Sequence, residues 1–91
     1  MDRHAVINLN GNFKDSGFGF SSFKQATSLN IKGEFLYITE NQVEIKVLGS
    51  PEAIDAFNQW CLGFIHTIDG TMLAVNKHEK TFTKFIISNQ I

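Results

Sequence analysis

Gly11-Asn12-Phe13-Lys14-Asp15-Ser16-Gly17-Phe18-Gly19-Phe20-Ser21-Ser22-Phe23 is the stretch on which the fold turns. It closes a strand-like run and opens a helix-like one. Gly17 and Gly19 bracket Phe18, and Ser21 or Ser22 supplies an N-cap. Such a turn leaves backbone N–H groups without intrahelical partners, all pointing outward, which suits an anion. A phosphate cradle normally adds a fixed cation. Only Lys14 and Lys24 are near, and Asp15 places an acid inside the loop.

Upstream, Ala5, Ile7 and Leu9 alternate with Val6, Asn8 and Asn10, so residues 4–13 read as a strand. Downstream, Phe20, Phe23, Ala26, Thr27 and Asn30 fall at helical spacing, predicting a helix from Ser21 to Asn30 that stops at Asn30-Ile31-Lys32-Gly33. Phe35–Glu40 is strand-like, Asn41-Gln42 a turn, and Val43, Ile45 and Val47 alternate with Glu44 and Lys46. Two strands so close form an antiparallel hairpin. Gly49-Ser50-Pro51-Glu52 is a strong helix start: serine caps, proline fits the first helical position, and glutamate suits the dipole. Ile54, Phe57, Cys61 and Phe64 then form an apolar stripe, with Gly63 as a stop. Thr71–Lys77 and Phe82–Ser88 read as the last two strands, joined by the polar turn His78-Glu79-Lys80. The order is β-α-β-β-α-β with a short extra strand. It predicts an α+β, ferredoxin-like βαββαβ sandwich: one antiparallel sheet with two helices on one face.

The 91 residues are expected to form a single domain, 1–91. A net charge of −1 makes nucleic acid and an anionic membrane poor partners, and no apolar run approaches a membrane span. The N-terminus shows no signal-peptide pattern, and the lone Cys61 leaves no internal disulfide, so cytoplasmic residence is the expectation.

In this register the chain resembles the acylphosphatases. Their motif G-x-V-x-G-V-G-F-R closes the first strand and opens the first helix, and a G-W-V-x-N segment and a V-E-V strand follow. Without a gap, this chain supplies Gly11, Phe13, Gly17 and Phe18, then Ala26, Leu29, Ile31 and Gly33, then Val43-Glu44-Ile45, and finally Gly49, Ala53, Phe57 and Trp60. The resemblance reaches about residue 64; the last strands fit by pattern alone. It implies the same fold, no metal and no cofactor. It also implies that residues Asp15, Ser16, Gly17, Phe18, Gly19 and Phe20 make the anion-binding loop.

The resemblance further exposes two substitutions. The family's arginine binds the substrate phosphate with the loop amides; Gly19 stands there. The family's asparagine orients the attacking water; Tyr37 stands there. A guanidinium offers a bidentate fork to phosphate oxygens, and losing one preorganised donor of this kind costs on the order of a hundred-fold in rate. Arg3, the sole arginine, precedes the first strand, and slipping the register by two sets Ser21 at the arginine position. Lys14 and Lys24 are the candidate substitute cations, though lysines so placed are more often simply solvated.

The remaining features carry less chemistry. The glycine loop reads more readily as a tight strand-to-helix turn, and Tyr37 as a strand aromatic packing across the sheet. His4, His66 and His78 show no metal spacing, and Cys61 belongs to an apolar stripe. Of nine phenylalanines, Phe13, Phe18, Phe20 and Phe23 crowd one helix end, which not all can share in burial. Three functions stay open. The first is a silent or impaired acylphosphatase-like domain that binds a small phosphate- or carboxylate-bearing ligand or a protein. The second is a divergent acylphosphatase acting on carboxyl–phosphate anhydrides. The third is an interaction module using a free sheet edge.

Overall fold

A computed structural model describes residues 2–89. The elements run β1 (Arg3–Gly11), α1 (Phe18–Ser28), β2 (Lys32–Thr39), β3 (Gln42–Gly49), α2 (Pro51–Leu62), β4 (Thr67–Val75) and β5 (Phe85–Asn89). The strands form one five-stranded sheet in the order β4-β1-β3-β2-β5. Every neighbouring pair is antiparallel except β2–β5, which is parallel. This is the expected ferredoxin-like α+β sandwich, with one parallel edge pair that the sequence reading lacked.

Period-two alternation aims one face of the sheet at the helices. Ala5, Ile7 and Leu9 of β1, Phe35 and Tyr37 of β2, and Val43, Ile45 and Val47 of β3 are all buried. They meet Phe18 and Ala26 of α1 and Ile54, Phe57 and Cys61 of α2 in one core. At Gly33, φ is 150°, and a Cβ there would run into the Lys46 carbonyl of β3, so glycine lets the two strands close.

Local chemistry sets the helix ends. Ser50 Oγ accepts from the Ala53 N–H at 3.1 Å and Pro51 opens α2, as expected. Helix α1 stops at Asn30, which takes a left-handed φ of 59°. The Ile31 N–H then donates back to Ala26 O at 2.9 Å and the Asn30 N–H to Thr27 O at 3.1 Å, a Schellman closure.

Two expectations need correction. Helix α1 begins at Phe18, three residues before Ser21. Its buried face is Phe18, Gly19, Ser22 and Ala26, while Phe20 is exposed. The strands at the C-terminal end do not form a hairpin either. β4 and β5 lie at opposite edges, so residues 76–84 must cross the sheet. His78 in this segment is buried, and its ring packs on that of His4 at 4.9 Å between centroids. The His78 N–H donates to His4 Nδ1 at 3.3 Å, and His78 Nε2 lies 2.9 Å from the Val47 carbonyl oxygen. Further along, Lys80 pairs with buried Glu34 of β2 at 3.6 Å, and the Ser88 hydroxyl also donates to Glu34. The polar letters of this segment thus partly conceal a strap anchored by side chains.

Candidate functional site

The candidate site is the β1–α1 loop and the part of β2 beside it. The loop is held in place by its own backbone. The Gly11 N–H donates to Asn41 O at 3.0 Å, that of Asn12 to His66 O at 2.9 Å and that of Phe13 to Glu40 O at 3.2 Å. Between Phe13 and Phe18 the chain turns sharply, with Asp15 at φ 57° and Gly17 at φ 72°. A side chain at Gly17 would meet open space, so its conformation, not crowding, calls for glycine.

Phe18 makes this loop part of the core. It is fully buried, with its ring centroid 4.9 Å from Phe13, 4.5 Å from Phe64, 5.6 Å from Phe35 and 5.8 Å from Trp60. Anchoring Phe18 fixes where the first amides of α1 point.

Those amides are largely spoken for within the chain. The Ser16 N–H donates to Phe13 O at 3.1 Å, and the Ser16 hydroxyl donates to the same oxygen at 2.6 Å. Ser16 Oγ in turn accepts from the Phe18 N–H at 3.2 Å. The Gly19 N–H donates to the Tyr37 hydroxyl oxygen at 3.1 Å, in a buried contact. Ser16, and neither Ser21 nor Ser22, therefore supplies the side-chain oxygen at the start of α1.

Gly19 and Tyr37, the two positions that the resemblance singled out, turn out to be one contact. A Cβ built on Gly19 would lie 3.4 Å from Tyr37 Oη and 3.5 Å from both Tyr37 Cε2 and Phe35 Cε1. One carbon fits in ordinary contact; atoms beyond it that continue toward β2 would meet the Tyr37 ring. Glycine at 19 and tyrosine at 37 are thus complementary. Each was visible in the sequence, but their contact was not, because they lie 18 positions apart in the chain.

The charged residues sit outside this contact. Lys14 pairs with Glu40 at 3.4 Å, both more than half exposed, and a pair so open to water contributes little. Lys24 lies over the exposed Phe20 ring, 5.6 Å from its centroid. Asp15 is exposed. Cys61 is buried, which pushes its thiol pKa far up and keeps it a protonated, inert group. Among the described residues, no cluster of three or more His, Cys, Asp or Glu could hold a metal ion. No described helix is long and apolar enough to cross a membrane.

Solved structures share this architecture. An acylphosphatase from Coxiella burnetii superposes with a TM-score of 0.85 at 14% identity, covering 96% of this chain and 93% of that one. For an acylphosphatase from Bacillus subtilis the values are 0.84 and 20%, covering 97% and 99%. The full-length HypF structure in its phosphate- and nucleotide-bound form gives 0.82 and 21%, with 98% of this chain matching 12% of that protein. No protein-family model and no curated protein matches the sequence. Identities this low establish a common fold and leave the site to its own residues. The chain has the fold of these acylphosphatases and of the matching segment of HypF.

Proposed function

We propose that the chain is one acylphosphatase-like domain that has lost hydrolysis, its loop closed by its own tyrosine. The observation that carries this reading is the buried hydrogen bond from the Gly19 N–H to Tyr37 Oη. Hydrolysis of an acyl phosphate asks for preorganised donors around a dianion and a cation to match its charge. Here the Ser16, Phe18 and Gly19 amides already have acceptors inside the chain. Glycine replaces the fork-shaped cation, and Asp15 adds a like charge near the ligand.

The loop keeps at most a weak capacity for a small phosphate or carboxylate, through whichever amides such a ligand can recruit. The divergent-enzyme reading is less well supported, since Lys14 and Lys24 each have another neighbour.

Inorganic phosphate titrated against the 15N-labelled protein tests the closure. The wild type should show small shifts confined to the amides of residues 15–20, and Tyr37→Ala should enlarge them. Strong, saturable shifts of the same amides in the wild type would show an open anion site and refute the reading.

A further inference from the structure

The two edges of the sheet differ in how they are protected. β5 is short, at Phe85–Asn89, whereas β4 runs nine residues from Thr67 to Val75. Edge strands usually carry lysine, proline or a mid-strand bulge to prevent pairing with another chain. β4 has no lysine, arginine or proline. Its register against β1 is regular from Val75 to Asp69, and the bulge that follows at Ile68 lies near the strand's start and leaves that run flat. Its one charge, Asp69, accepts from Asn10 Nδ2 of β1 at 2.7 Å. Meanwhile Ile68 is 72% exposed, Leu73 65% and Met72 38%, beside an 86% exposed Ile65.

We propose that this edge pairs antiparallel with β4 of a second copy of the chain, across a twofold axis through Thr71. The strand is self-complementary about that residue. Gly70 then faces Met72 of the second copy, so a large side chain meets a small one on the helix side. On the other side Asp69 faces Leu73 and Thr71 faces Thr71, with no like charges opposed; the pairing ends before the bulge at Ile68, beyond which the Thr67 hydroxyl turns to donate to the Cys61 carbonyl. An axis through Asp69 would instead set two carboxylates face to face. The result is one continuous sheet through two copies, in which the outward N–H and C=O groups of β4 find partners. The contact is isologous and closes at two copies.

Sedimentation equilibrium on the full chain tests this. The wild type should weigh twice 10.2 kDa. Thr71→Lys and Thr71→Asp should each sediment as monomers, because each sets like charges across the axis. Mixed in equal amounts, the two should regain the doubled mass, a rescue that damage to the fold cannot produce. Leu73→Asp, facing Asp69 of the other copy, should also give monomers, whereas Leu73→Lys should not; this pair decides the matter if the Thr71 variants fail to fold by circular dichroism. A monomeric wild type at its highest soluble concentration would overturn the proposal. So would a dimer indifferent to Thr71→Lys and Leu73→Asp.

Discussion

Gly19 and Tyr37 meet through a single buried hydrogen bond: the Gly19 N–H at the start of α1 donates to the Tyr37 hydroxyl oxygen on β2, 3.1 Å away. Tyr37 therefore fills space beside the helix start and satisfies one of its unpaired donors at the same time. Tyr37→Phe keeps the ring and removes the acceptor. The expected cost is about 1–3 kcal/mol, the usual penalty for a buried donor left unsatisfied. Urea unfolding should show a lower midpoint at unchanged slope. An unchanged midpoint would mean that the bond contributes nothing.

Two phenylalanines in the same short stretch should behave oppositely. Phe18 is fully buried among four aromatic rings, and Phe20 is 64% exposed. Phe18→Ala should cost about 3–5 kcal/mol, as a large deletion in a packed core does. Phe20→Ala should stay within about 0.5 kcal/mol. Thermal or urea unfolding of the pair checks both, and comparable losses would show that the burial pattern of α1 is wrong.

Cys61 gives a pH-dependent test. Burial raises its thiol pKa in the folded state. Its contribution to stability is complete below the unfolded thiol value, about 8.5, and falls as pH rises above it, because the unfolded chain alone ionises readily. A disulfide reagent should leave the native protein unmodified at mildly alkaline pH and react at once in denaturant. Fast reaction of the native protein would place Cys61 at the surface.

Much of this architecture was legible in the sequence, because local rules governed it. The alternation around Val43, Ile45 and Val47 and the Ser50-Pro51 start needed no tertiary information. The start of α1 was not legible. Ser21 and Ser22 look like caps, but the core claims Phe18, and the buried stripe becomes Phe18, Ser22 and Ala26 at four-residue spacing. The strap over residues 76–84 was missed because its anchors, His4, Val47 and Glu34, come from three other strands. In the candidate site, Gly19 and Tyr37 were each visible as departures from the acylphosphatase pattern. Their contact depends on how β2 packs beside α1, which no local pattern encodes.

Introducing the residues of the acylphosphatase pattern should work only in combination. Gly19 is not among the residues with positive φ, so a side chain is permitted by its backbone. Arginine there collides with Tyr37 unless that ring is shortened, so Gly19→Arg alone should destabilise the fold. Gly19→Arg with Tyr37→Asn should fold, and adding Asp15→Gly removes a like charge at a left-handed position that glycine accepts without strain. By circular dichroism and phosphate titration, the triple variant should be folded and bind phosphate more tightly than the wild type. A folded triple variant that binds none would show that the loop geometry has moved beyond recovery.

Steady-state hydrolysis of benzoyl phosphate by the purified wild-type protein tests the closed site most directly. With the Gly19 amide engaged by Tyr37 and no arginine at the helix start, release of phosphate should not exceed the uncatalysed rate. Turnover at roughly 1–1000 per second, the range of ordinary enzymes, would contradict the account.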